Sequence, residues 1–121
     1  MAKILLADDE PDVGLIVTER LRRNGHEVEY VSDGSKAIQK AQECAYDLLI
    51  LDIRMPGHSG YEVCQYVRNS MINAKTPVLL ISAFPEEGAK WHQSKADAFL
   101  AKPFETGHLK AEVDRLLKGN A

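Results

Sequence analysis

Leu48-Leu49-Ile50-Leu51-Asp52-Ile53-Arg54-Met55-Pro56-Gly57 decides the architecture. Four apolar residues run on without the alternation of a half-solvated strand, then meet a carboxylate and a Pro-Gly turn. A short, continuously apolar run suits a strand covered on both faces, as in the middle of a parallel sheet. Comparable runs lie on both sides of it: Ile4-Leu5-Leu6-Ala7, Val28 to Val31, Val78-Leu79-Leu80-Ile81 and Phe99-Leu100-Ala101.

Between these runs the period changes to that of a helix. Val13, Ile16, Val17 and Leu21 form one stripe, with Pro11 in a first turn and Asn24-Gly25 as a stop. Ile38, Ala41 and Ala45 form a second and weaker stripe, and Val63, Val67 and Met71 a third. Glu86 to Ser94, around Trp91, predicts a poor, short fourth helix. Leu109, Val113, Leu116 and Leu117 form a strong fifth, ending at Gly119. Strand and helix alternate five times, which calls for parallel strands joined by right-handed crossovers: an α/β, doubly wound five-stranded sheet. Ligands of such sheets bind at the carboxyl ends of the strands.

The chain of 121 residues fits one domain, expected to span 1–121. Hydrophobic residues at 45% supply a core, and 15 basic against 18 acidic residues leave a net charge of −3. That balance argues against direct nucleic-acid binding and against an anionic membrane. No apolar run is long enough to span a bilayer, and Met1-Ala2-Lys3-Ile4 does not open a signal peptide. Cys44 and Cys64, in helix-like segments, are too few for a disulfide scaffold, so the expected compartment is the reducing cytoplasm.

The residues that follow the strands carry the chemistry. Asp8, Asp9 and Glu10 follow the first, Asp52 the third, Ser82-Ala83 the fourth and Lys102-Pro103 the fifth. Each has a plain reading. An acidic run before a helix is a solvated loop or a cap, Asp52 a turn residue, Ser82 a hydroxyl bonded to its own backbone, and Lys102 a surface charge. Those readings do not explain why all fall at equivalent strand ends. Two carboxylates about 4 Å apart repel by roughly 4 kcal/mol at an effective dielectric near 20, a large share of a small domain's stability. An ammonium offsets part of this and a hard divalent cation more; oxygen-only ligands favour Mg²⁺.

Asp8-Asp9, the Leu49-to-Gly57 stretch around Asp52, Ser82-Ala83 and Lys102-Pro103-Phe104 together resemble the receiver (CheY-like) domain of two-component response regulators, over about Lys3 to Lys118. The resemblance implies a flavodoxin-like strand order 2-1-3-4-5 and a Mg²⁺-dependent phosphoacceptor that is not a turnover enzyme. By resemblance Asp52 accepts the phosphoryl group. Asp9, Asp52 and the backbone carbonyl of Arg54 ligate Mg²⁺, and Asp8 orients metal-bound water. Lys102 and Ser82 pair with phosphoryl oxygens. Ser82 and Phe99 form the switch, with a plain core role for Phe99 as the alternative. Lys102-Pro103 matches a peptide usually cis in this family, and Arg54 and Phe84 stand where receivers tune the access of water. Implied partners are a sensor histidine kinase or phosphotransfer protein and an unnamed downstream protein or effector domain; a homodimer is left open.

The segment from Phe84-Pro85-Glu86 to Lys95 is slightly short for the family, and Lys95-Ala96 stands where Gly-Ala is common. Both departures put the fourth helix in question. A phosphorylation-independent interaction module and a small Mg²⁺-dependent phosphatase are the competing functions. A haloacid-dehalogenase-type phosphatase wants a second Asp where Arg54 stands. His26, His58, His92 and His108 lack zinc spacing, and no Gly-rich phosphate loop follows the first strand.

Overall fold

The computed structural model describes residues 2–119. Five strands, β1 (Lys3–Ala7), β2 (Glu27–Val31), β3 (Leu48–Asp52), β4 (Val78–Ser82) and β5 (Ala98–Ala101), alternate with α1 (Pro11–Arg23), α2 (Gly34–Glu43), α3 (Gly60–Arg68), α4 (Pro85–Gly88) and α5 (Thr106–Gly119). All neighbouring strands are parallel, in the order β2-β1-β3-β4-β5. This is the flavodoxin-like sheet expected above. The continuously apolar strands β3 and β4 are buried along their whole length.

Alternate residues of each strand point to opposite faces, and two cores result. Leu5, Ala7, Leu49, Leu51 and Leu80 pack with Ala37, Ile38 and Ala41 of α2 and Val63, Cys64 and Val67 of α3. Ile4, Leu6, Ile50, Leu79 and Ile81 pack with Val17 and Leu21 of α1 and Leu109, Val113 and Leu116 of α5.

Three stripe residues fall elsewhere than their spacing suggests. Ile16 is 60% exposed, because the buried face of α1 runs through Gly14, Val17, Thr18 and Leu21 and leaves residue 16 about a quarter-turn away. Ala45 is exposed, because Cys44 takes an extended conformation as the C-cap of α2 and turns the chain out of the helix. Cys44 thus closes its helix rather than lying within it. Met71 is fully exposed: α3 ends at Arg68, and the Asn69 side chain donates to the Gln65 carbonyl at that end. The fourth helix is shorter than the Glu86-to-Ser94 segment expected of it: one turn at Pro85–Gly88, followed by a separate 3₁₀ turn at Trp91–Gln93.

Candidate functional site

Three loops at the carboxyl edge of the sheet converge. The β1–α1 loop is held by the Asp8 amide donating to the Val31 carbonyl, by Tyr30 Oη donating to the Asp8 carbonyl at 2.6 Å, and by the Glu10 amide donating to Asp8 Oδ1 at 2.9 Å. The β3–α3 loop is pinned at the Gly60 amide, which donates to the Ile53 carbonyl at 2.8 Å, and at the Ser59–Glu62 capping box. Gly60 is required here, since a Cβ would stand 2.5 Å from the Asp52 carbonyl oxygen. The β5–α5 loop enters through the Lys102 amide, which donates to the Ser82 carbonyl at 2.8 Å, and a cis Lys102–Pro103 peptide.

Lys102 reaches across all three. Its Nζ lies 2.9 Å from Asp52 Oδ2, 2.8 Å from Glu10 Oε1 and 2.9 Å from Asp8 Oδ2. The contacts to Asp52 and Glu10 are hydrogen bonds. The third is an ion pair at poor hydrogen-bond angles, and it leaves the buried Asp8 Oδ2 without a hydrogen bond. Carboxylate oxygens of Asp8, Asp9, Glu10 and Asp52 lie within 4.8 Å of one another. Three of these four carboxylates therefore share one ammonium.

The electrostatics of the pair are lopsided. Burial pushes the Asp52 carboxyl up to about 7; the Asp8 charge adds to the rise and the Lys102 ammonium opposes it. Burial by itself lowers the Lys102 pKa, but the attraction of Glu10, Asp52 and Asp8 outweighs it and holds the ammonium above its ordinary value. An all-oxygen donor set, half of it buried, with one orphaned oxygen at Asp8 and excess negative charge, fits a hard divalent cation such as Mg²⁺.

An open cleft of about 270 Å³ over these groups is lined by Asp9, Glu10, Asp52, Arg54, Ala83, Phe84 and Lys102. The Arg54 guanidinium stacks 4.1 Å over the Phe84 ring and pairs with Glu87 at 3.1 Å, while its amide donates to Asp52 Oδ1 at 3.3 Å. A larger groove of about 420 Å³ opens between α3 and residues 90–95, but none of the strand-end carboxylates lines it. The reactive groups place the candidate site in the smaller cleft.

The structure thus brings Asp8, Asp9, Asp52 and Lys102 together, with Arg54 on the wall. Ser82 is buried at the adjacent strand end, where its Oγ accepts from the Phe84 amide at 3.0 Å and contacts the Phe84 carbonyl at 3.3 Å. Its hydroxyl is engaged with its own loop. Phe99 is half-buried on β5, its ring against Gly88 of α4. Glu10 was named with the strand-end acids but given no partner; its grip on Lys102 spans 92 positions and leaves no local signature.

A doubly wound parallel sheet whose strand ends gather four carboxylates beside one lysine defines an α/β domain with its candidate site at the carboxyl edge. The response regulator receiver domain model matches residues 4–114, and the chain belongs to that family. It is 34% identical over 118 residues to the transcriptional activator protein IrlR of Burkholderia pseudomallei, covering 96% of this chain and 50% of that protein. The chain spans about half the length of the curated relatives it matches. The receiver domain of the sensor histidine kinase PA1611 from Pseudomonas aeruginosa, crystallised with magnesium in its active-site cleft, superposes with a TM-score of 0.90 at 28% identity, covering 97% of this chain and 98% of that one. The response regulator TrrA of Thermotoga maritima, in complex with Mg²⁺ and BeF, gives 0.83 at 34% identity, covering 96% and 99%.

Proposed function

We propose that residues 1–121 act as one receiver domain whose Asp52 takes a phosphoryl group from a phosphohistidine of a sensor kinase or phosphotransfer protein. The observation that carries this reading is Asp52 itself: a carboxylate 4% exposed at the end of β3, with the Lys102 ammonium 2.9 Å away and Asp8, Asp9 and Glu10 around it.

An Asp52 oxygen attacks phosphorus, the O–P bond forms, and the N–P bond breaks with its electron pair returning to the donor imidazole. Asp9, Asp52 and the Arg54 carbonyl would hold Mg²⁺, with Asp8 orienting a bound water. The ion would supply neutralisation of the charge that builds on the transferring group. Lys102 carries a fixed positive charge toward the phosphoryl oxygens. Ser82 Oγ would leave the Phe84 backbone to donate to another, and this freed turn lies directly before α4. Two charge-assisted hydrogen bonds are worth about 3–6 kcal/mol; reversing a 1:99 equilibrium takes about 5.5 kcal/mol. Only the upper end of that range covers a two-state change of the α4–β5–α5 face, on which Phe99 reports and which a downstream partner would read, so the switch has little to spare. The chain acts on itself only, and its two free thiols support a reducing, cytoplasmic setting. No described helix is long and apolar enough to cross a membrane.

Acetyl phosphate with Mg²⁺ tests the reading. Mass spectrometry should show the addition of one phosphoryl group to the wild type and none to Asp52→Asn. Uptake that survives in Asp52→Asn would remove Asp52 as the acceptor, and sustained turnover of a soluble phosphoester would point to a phosphatase instead.

A further inference from the structure

Glu10 differs from the other acids around Lys102 in being mostly in water. Its side chain is 55% exposed, against 0% for Asp8 and 5% for Asp52. An ammonium has three donors and accepts nothing. In this structure Glu10 and Asp52 accept hydrogen bonds from Lys102 Nζ at 2.8 and 2.9 Å, and Asp8 stands beside it as an ion pair at 2.9 Å. An additional anion reaching Nζ must compete with these three carboxylates for it.

Releasing Asp8 or Asp52 strands a charge in the interior, which is strongly unfavourable. Releasing Glu10 returns a carboxylate to solvent, where an exposed ion pair is worth little. The backbone of Glu10 need not move, because its amide is held by Asp8 Oδ1 at 2.9 Å and its carbonyl accepts from the Gly14 amide at 3.0 Å. A rotamer change is enough.

We propose that Glu10 is a positioning residue that occupies Lys102 in the resting protein and gives it up to a phosphoryl oxygen, so that the exchange of one counter-ion for another sets the affinity of the site for its phosphoryl group. This rests on the reading of Asp52 as phosphoacceptor. The exchange lowers the apparent affinity for any anion that must recruit Lys102.

The test is a double-mutant cycle on the full chain, by titration calorimetry of beryllofluoride at saturating Mg²⁺, with wild type, Glu10→Gln, Lys102→Ala and the double variant. Glu10→Gln should bind roughly 2–5-fold more tightly than wild type, the affinity equivalent of an exposed ion pair. In the Lys102→Ala background the same change should do nothing, because no ammonium remains to release. A gain that persists there is simple repulsion of the anion by Glu10 and overturns the proposal. Weaker binding in Glu10→Gln would mean that Glu10 serves the cation, and also overturns it. Should Lys102→Ala bind too weakly to titrate, acetyl phosphate uptake rates of the four proteins give the same cycle. Failure of the wild type to bind beryllofluoride would instead sink the phosphoacceptor reading, a result distinct from equal binding by wild type and Glu10→Gln, which sinks the Glu10 exchange alone.

Discussion

Lys102 Nζ and Asp52 Oδ2, fifty positions apart in the chain, meet at 2.9 Å where β5 and β3 end. The ammonium is shared, so the pair does not neutralise the aspartate, and burial holds its carboxyl at about 7 against an ordinary 3.8. A group whose folded pKa lies above its unfolded pKa adds stability that is fully present below the unfolded value and is lost as pH rises through the folded one. In metal-free buffer the native state should therefore weaken between about pH 4 and pH 7 on account of Asp52. Asp52→Asn removes that titration. Urea unfolding at about pH 5 and about pH 8 should show the variant gaining roughly 2–3 kcal/mol on wild type over that interval, from 1.36 kcal/mol per pKa unit. A constant difference between the two proteins would mean that Asp52 is already ionised at the lower pH.

Excess carboxylate should also make the fold responsive to cations. A ligand that binds only the native state stabilises it by RT ln(1 + [L]/Kd), about 1.4 kcal/mol at ten times Kd, which for a domain of this size raises the Tm by roughly 5 °C. Mg²⁺ should produce such a rise in thermal unfolding, and Asp9→Ala should lose most of it. Asp9 is exposed and makes no ion pair among the described residues, so the variant itself should fold normally. An unchanged Tm in wild type would argue against a metal site among these oxygens.

The sheet was legible because β3 and β4 are apolar without interruption, and only a doubly covered strand tolerates that. Asp52, Lys102 and the Asp8-Asp9 pair were legible for the same reason, since topology alone puts strand ends on one edge. Helix limits were harder. The positions of Ala45 and Met71 depend on where Cys44 and Asn69 cap their helices, and periodicity says nothing of caps. The Ser82 hydroxyl and the Glu10 carboxylate were placed by side-chain rotation, turning toward the Phe84 backbone and toward Lys102 respectively. A residue's place in the order of elements does not determine such rotations.

Asn73 is the polar residue on which the α2–β3 and α3–β4 connections depend. It is fully buried; its Oδ1 accepts from the Tyr46 amide and Thr76 Oγ1, and its Nδ2 donates to the carbonyls of Ala41 and Cys44. Asn73→Ala leaves several buried partners unmet, at about 1–3 kcal/mol each. Chemical denaturation should register a loss of at least about 3 kcal/mol, with little change in beryllofluoride affinity where the variant is folded. A loss below about 1 kcal/mol would show that water replaces the amide.

Gly88 and Phe99 set how closely α4 lies against β5. A Cβ on Gly88 would overlap the tip of the Phe99 ring, and α4 can lie over that ring only because residue 88 has no side chain. Two effects oppose each other in Gly88→Ala. The helical backbone gains about 1 kcal/mol from alanine, while forcing a methyl into a filled space costs about 1–3 kcal/mol. The clash should win, giving a net loss of roughly 0–2 kcal/mol in urea unfolding, together with a shift of the Phe99 ring resonances. In a Phe99→Leu background the shorter side chain clears the methyl, and the same Gly88→Ala change should become neutral or stabilising. Equal effects of Gly88→Ala in both backgrounds would show that α4 moves aside as a unit and that the ring does not feel residue 88.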